Sequence, residues 1–497
     1  MTILPKPQIV IPSVILGTGI AILNPILGMI VFVILVGGWI LILKNPHPVN
    51  LWILLLTVFF FFPYSTMSPS ARMGGTYFTI YRKLGGLLSV WDVLLGCLLI
   101  LLLLVQMTRK RLTFKGFSFP EVSVFSGLIL ISFLWGILHV KGNVLGYGPT
   151  DILRPIIILQ VFFYFLITYF LTINFLENRS DWAFAKKWLI RLTGLLAIYG
   201  VFRFIEILLG KIETMWPFGL PVILYDQMLM LYLPIFTWVA GKVLHKQGWK
   251  GLGWVALMSL FFIVASARRF NYVLLFIGIL LALAVSAWMT DHFWKKLVSS
   301  IKILSAALAI FVLGFVLIFP STSKRIGQTV QSINIYKNTQ AVTTGSDIRR
   351  QEIKNLILNM KNRPYSFLIG MGLGTKWKAI AYQPIDSFSF TGKYLEKSFG
   401  WFPQFHIPYF GLIYRYGILG LLLFWGLLLF LFARFLILVR TVRTSEETPL
   451  LIGMLVFLMI VLPTFGDSVN PTGFILSGFY LGFLEFRLGY WGNQDAG

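Results

Sequence analysis

The chain has 497 residues, 57% of them hydrophobic and 12% charged, with a mean hydropathy of +0.82. Soluble domains carry roughly 25% charged residues, so a water-soluble globular fold is excluded. Forty-two Lys and Arg against eighteen Asp and Glu leave a formal charge of +24, more than the usual bias of cytoplasmic loops accounts for.

Apolar runs near the length needed to cross a hydrocarbon core, about 20 residues each, recur along the whole chain. They are too long and too evenly apolar for barrel strands, which leaves helices. From the N-terminus the pattern predicts spans at 9–24, 26–43, 50–63, 90–107, 121–140, 154–174, 188–209, 218–240, 251–266, 271–288, 303–320, 408–433, 449–464 and 473–487. The first two are one stretch broken at Asn24-Pro25, where proline ends or kinks a helix. The expected fold is therefore an all-α polytopic membrane protein of about 12–14 transmembrane helices. It divides into residues 1–320 with about 11 spans, one large hydrophilic loop containing short helices over 321–407, and residues 408–497 with about 3 spans. The first apolar stretch lacks a small-residue cleavage site and reads as an anchor. Cys97 is the single cysteine; it can form neither a disulfide nor a thiolate metal site and reads as a small apolar residue.

Short basic groups set the orientation. They are Arg109, Lys110, Arg111 and Lys115; Lys186, Lys187 and Arg191; Lys242, Lys246 and Lys250; Lys295, Lys296 and Lys302; and Arg434, Arg440 and Arg443. All five fall on alternate connections, hence on one face, the cytoplasmic one. Residues 321–407 then lie outside. That segment holds twelve cations and four acids, a net +8, which makes the outer face attractive to anions. Arg72, Arg82, Lys83, Arg154, Arg203, Glu206 and Asp467 are further charges on that side, most of them basic.

Within the long segment, Ile353, Leu356, Ile357 and Met360 follow helical spacing. Ser346 or Asp347 is placed to cap the start, and Arg363-Pro364 ends the pattern. The helix is expected to lie on the membrane surface or against the bundle, with Arg349 at the boundary. Next comes Gly370-Met371-Gly372-Leu373-Gly374. No strand precedes it, so it is not a dinucleotide fingerprint, and it reads as a flexible turn or a place where backbone nears a phosphate.

Arg268 and Arg269 separate two apolar spans with almost no loop. They read either as cations anchoring helix ends or as guanidinium forks for phosphate oxygens. His406 closes the long segment, and a histidine can take a proton near neutral pH; the plain alternative is an interfacial histidine without a role. His139 lies near an outer helix end, whereas His47, His245 and His292 fall on the cytoplasmic side. Asp386 and Glu396 are isolated and no histidine pair has ligand spacing, so neither a metal nor a cofactor is expected.

Three features together resemble the O-antigen ligase/O-antigen polymerase superfamily of bacterial inner-membrane glycan-assembly proteins. They are the step Ser266-Ala267-Arg268-Arg269, the stretch from Arg349 through the helix to Pro364 and Gly370–Gly374, and the entry to the next span from His406 through Tyr416-Gly417-Ile418-Leu419-Gly420. The likeness is close over 250–425. The chain departs from the family pattern at Ile407, where an Asn is common, and at Arg415, where an acid is common. The spacing from Pro364 to Gly370 is also longer. These departures point to a divergent branch handling an exopolysaccharide rather than lipopolysaccharide.

The resemblance implies a metal-independent glycosyltransferase at the outer leaflet of the inner membrane, its site facing the periplasm or cell exterior. Its donor would be a polyprenyl-diphosphate-linked glycan and its acceptor a glycan or lipid, with no nucleic acid involved. Arg268 and His406 would be catalytic, and Arg269, Arg349, Arg350, Arg415, Gly372 and Gly374 would bind substrate. Another class remains open: a flippase for lipid-linked oligosaccharides also wants a basic interior and many spans. Such transporters often show two related halves, which this sequence does not.

Overall fold

A computed structural model describes residues 52, 83–84, 88–108, 114–116, 119–140, 152–208, 228–245, 251–265, 269–290, 294, 298, 302, 345–361, 363–378, 401–402, 408–464 and 471–489. The predicted spans at 9–24, 26–43 and 303–320, and 50–63 apart from Trp52, lie outside these residues.

The described chain is helical. In order come α1 (Val90–Thr108), α2 (Pro120–Leu138), α3 (Leu153–Phe175), α4 (Arg179–Leu208), α5 (Met228–Val243), α6 (Gly253–Ala265), α7 (Arg269–Trp288), α8 (Gly345–Lys361), α9 (Tyr365–Ile369), α10 (Pro408–Thr441), α11 (Thr448–Val461) and α12 (Pro471–Gly489). Two pairs of two-residue strands accompany them, Lys83–Leu84 with Leu88–Ser89 and Trp377–Lys378 with Trp401–Phe402. Among the described residues three helices are long and apolar enough to cross a membrane: Pro120–Leu138, Leu153–Phe175 and Phe410–Thr441. Shorter apolar helices run over Trp91–Leu104, Leu229–Val243, Gly253–Ile263, Val273–Trp288 and Thr448–Val461.

The centre of the bundle is α11, whose residues are buried on every side. It packs on α5 and α12, and α12 lies along α3. Gly478 and Gly482, four residues apart, make that last contact close. A methyl at Gly478 would strike the Phe165 carbonyl, and one at Gly482 would come within 2.7 Å of Thr172. Small residues at this spacing let helix backbones approach in apolar surroundings. At the periphery, α1, α2 and α10 turn Leu103, Ile131, Leu422 and Phe430 outward, as lipid-facing helices do.

Polar groups gather at the two ends of this core. At one end Glu447 accepts hydrogen bonds from Trp182, Lys186 and Arg487, each 2.7 Å. Lys115 donates to the Leu176 carbonyl at 2.7 Å, and its backbone N–H to Asn174 at 2.8 Å. Arg434 pairs with Glu121 at 3.4 Å, and Arg440 lies over the Trp288 ring. Members of the first, second and fifth basic groups thus share one end. They do not all sit in loops, however. Lys186, Lys187 and Arg191 lie within α4, and Arg434 and Arg440 within α10, because the aliphatic stems of long cations let a helix continue beyond its apolar section.

Candidate functional site

At the opposite end the segment after α9 is locked between three helices. The key is Gly417, at φ 67° and ψ −174° inside α10, a conformation that glycine adopts without strain. In an unbroken helix the carbonyls of residues 414 and 415 would accept from residues 418 and 419. With the break at Gly417, the Tyr414 carbonyl accepts from the Met371 N–H at 2.7 Å and the Arg415 carbonyl from the Gly372 N–H at 2.9 Å. The neighbouring Leu373 N–H donates to the Ser132 carbonyl of α2 at 2.8 Å. Trp135 of α2 donates its indole N–H to the Gly370 carbonyl at 3.0 Å.

Gly370, Gly372 and Gly374 all have positive φ (74°, 86° and 83°), so side chains there would be strained. Space is a second constraint. A methyl at Gly370 would meet the Arg415 backbone, at Gly372 that of Gly136, and at Gly374, at 2.6 Å, that of Pro155 at the start of α3. The run is therefore a fixed wedge and not a flexible turn. Its glycines are explained by close protein contact, and their bare faces at these points are occupied by protein backbone.

Around the wedge the side chains are polar and mostly buried. Arg415 is only 1% exposed, and Glu352, Asn355, Ser366, Thr375 and His139 are also buried. Tyr414 donates its hydroxyl to the Lys376 carbonyl at 3.0 Å. Arg363 reaches the Met371 sulfur at 3.7 Å, and its charge acts on both His139 and Tyr414. His139, at the end of α2, has Nδ1 at 3.0 Å from the Trp135 carbonyl and Nε2 at 3.4 Å from the Tyr365 hydroxyl. A carbonyl can only accept, so Nδ1 carries the proton and a neutral ring leaves Nε2 to accept from Tyr365. Burial lowers the His139 pKa below its usual value; Arg363 adds to this and the bond to Trp135 opposes it.

The structure places the expected site residues unevenly. Arg415, Gly372 and Gly374 come together at the wedge. Arg349 and Arg350 lie in α8 and Arg269 begins α7. Arg268 and His406 lie outside the described residues. Trp135, His139, Arg363, Tyr365 and Tyr414 belong to the assembly, although only the position of His139 near an outer helix end and the helix-ending role of Arg363-Pro364 were legible in the sequence. The remaining signal was Gly136, a small residue four after Ser132 on α2. Among the described residues no group of three or more His, Cys, Asp or Glu lies together.

No curated protein matches the chain at a significant level. Residues 254–425 match the family model described as O-Antigen ligase (Wzy_C). The matched stretch runs from α6 through α8, α9 and the glycine wedge to the part of α10 beyond the Gly417 break, and so takes in every expected site residue. This match over part of the chain supports a place in the O-antigen ligase and polymerase superfamily.

Proposed function

We propose that the chain is a metal-independent glycosyltransferase that polymerises or ligates glycans carried on a polyprenyl diphosphate, in O-antigen or exopolysaccharide assembly. The observation that carries this reading is the family match over 254–425, which encloses Arg268, Arg269, Arg349, Arg350, His406 and Arg415. In the proposed topology 12–14 helices cross the bacterial inner membrane, with about 11 before residue 321 and about 3 after 407. Residues 321–407 and the wedge face the periplasm or cell exterior, and the Glu447 end faces the cytoplasm. The gathering of cations around Glu447 supports this orientation, because cytoplasmic ends are enriched in Lys and Arg.

In the proposed reaction an acceptor hydroxyl attacks the anomeric carbon of the donor sugar. The new glycosidic bond forms as the bond to the diphosphate oxygen breaks, and the diphosphate leaves on its lipid. Arg268 and Arg269 bind the charge developing on the leaving group, with Arg349, Arg350 and Arg415 contributing to binding. His406 takes the hydroxyl proton. Gly372 and Gly374 serve this site by fixing the backbone beside Arg415.

The test measures glycan product in membranes holding normal amounts of each variant. Arg268→Ala removes charge-assisted hydrogen bonds and is expected to lower product about ten-fold or more. His406→Ala is expected to lower it by about 10²–10⁴-fold. Wild-type product from both variants would refute the assignment. The lipid-linked glycan left without the protein then separates two chemistries: single repeat units indicate a polymerase, and finished chains on the carrier lipid indicate a ligase.

A further inference from the structure

We infer that α8 and α9 form an interfacial platform that docks on anionic phospholipid headgroups at the mouth of the wedge. The inference rests on the chain spanning a membrane, and not on the transferase reading. α8 has two unlike faces. Glu352, Asn355, Leu356 and Met360 turn inward, where Leu356 and Met360 join Met371, Trp377 and Tyr414 in a small apolar cluster separate from the main core. Ile353, Lys354, Ile357 and Lys361 turn outward. Cations alternate with bulky aliphatics on that outer face, and the one acid among the described side chains of α8, Glu352, is 3% exposed. A face of this composition suits a surface that is apolar beneath and negatively charged above.

The place of the platform agrees with that partner. α9 follows α8 directly past Pro364 and exposes Leu368 and Ile369, at 56% and 44%. The Leu368 carbonyl lies against Gly417, so the backbone of α9 meets α10 just before Ile418 and Leu419, where the outward apolar stripe of α10 begins. The stripe then continues through Leu422 and Leu423. The exposed face of α9 is thus continuous with a membrane-facing surface, and the lysines of α8 stand beyond its end, at headgroup level. The leaflet itself thereby holds α8 and the wedge in position.

Site-directed spin labelling in proteoliposomes tests the inference. In a Cys97→Ser background, single cysteines replace Ile357, Leu368 and Leu422 and carry the label. Relaxation by oxygen, which enters the bilayer, is compared with relaxation by an aqueous nickel chelate, in phosphatidylcholine with and without phosphatidylglycerol. The labels at 422 and 368 are expected to read lipid in both membranes. The label at 357 is expected to move from water toward lipid when phosphatidylglycerol is present. Lys354→Gln and Lys361→Gln are each expected to weaken that response about five-fold. A label at 357 that stays nickel-accessible in both membranes, while 422 reads lipid, overturns the platform and leaves the spanning reading intact. Protection of 357 from both reagents would mean that protein, a second copy included, covers the face, and this also overturns it. Loss of the lipid signal at 422 would overturn platform and spanning reading together.

Discussion

The two ends of the helix core are held by different forces. At the Glu447 end three helices meet through charged side chains: Lys186 of α4, Arg487 of α12 and the carboxylate that precedes α11. At the wedge end three helices meet through backbone. Met371, Gly372 and Leu373 donate to carbonyls of α10 and α2, and glycines remove the side chains that would keep these chains apart. Charge contacts tolerate small movements, because long side chains follow a displaced partner. Backbone contacts at positive φ do not, because neither the dihedral nor the spacing can adjust. The wedge end is therefore the geometrically exacting one.

The sharpest way to break this comparison is at Gly372. Gly372→Val places a branched side chain at φ 86°, into the backbone of Gly136. The expected loss is about 3 kcal/mol or more from backbone strain and overlap, read as loss of monodisperse protein after extraction and of glycan product. Gly426→Ala is the control, because nothing lies within 4 Å of a methyl there; a helical alanine is expected to be neutral or slightly stabilising. Normal yield and activity from Gly372→Val would mean that the wedge is not rigid.

Glu447→Ala should cost less. Its carboxylate accepts from Trp182, Lys186 and Arg487 and is about one-sixth exposed, at 17%. Removing it leaves Lys186 and Arg487 without this partner, and the expected destabilisation is about 2 kcal/mol. The pH dependence follows from the same contacts. Burial favours the protonated acid, but the hydrogen bonds from Lys186, Arg487 and Trp182 prevail and hold its pKa below the usual carboxylate value. A depressed folded pKa means that the contribution is complete above the ordinary value, near 4.5, and is lost as pH falls through the folded one. Thermal unfolding in detergent, followed from neutral pH to pH 3, should show this decline in wild type and a shallower one in Glu447→Ala.

At the Glu447 end the cations were legible in the sequence but Glu447 itself was not, and the wedge end was not legible, for a physical reason. Charge and periodicity are properties of residue type, so cations on alternate connections and the apolar runs of α2, α3 and α10 could be read directly. The helix over 345–361 was legible from its spacing, although not its division into an inward face at Leu356 and Met360 and an outward one at Ile353 and Ile357. The wedge depends on backbone hydrogen bonds between segments far apart in the chain. Leu373 meets Ser132, and the two carry no complementary chemistry in their side chains. Glycine at 370, 372 and 374 gave the only local sign, and it fits a loose loop as readily as a tight lock. Arg415 stood out against the family pattern, whereas His139 and Tyr365 became partners only because the wedge brings α9 to the end of α2.

The mildest expected effect joins the two kinds of contact, because His139 is a titratable group inside the backbone-held end. Burial and the nearby Arg363 charge lower its pKa, the bond to the Trp135 carbonyl only partly offsetting them. In the unfolded chain it protonates near pH 6.5, while the folded protein resists. The stability present above that value therefore falls as pH drops from about 6.5 toward the folded pKa. Protonation would also put a hydrogen on Nε2, which at 3.4 Å now accepts from Tyr365, so the hydroxyl would have to reverse its role. Stability is therefore expected to fall between neutral pH and pH 5. Hydrogen exchange of the 365–376 backbone, taken relative to the intrinsic amide rate at each pH, should rise over that interval in wild type, while His139→Gln, which has no titrating ring, should give a flat response there. An unchanged rise in His139→Gln would assign the acid sensitivity to another group, and the wedge would then be as indifferent to mild acid as its backbone bonds alone would make it.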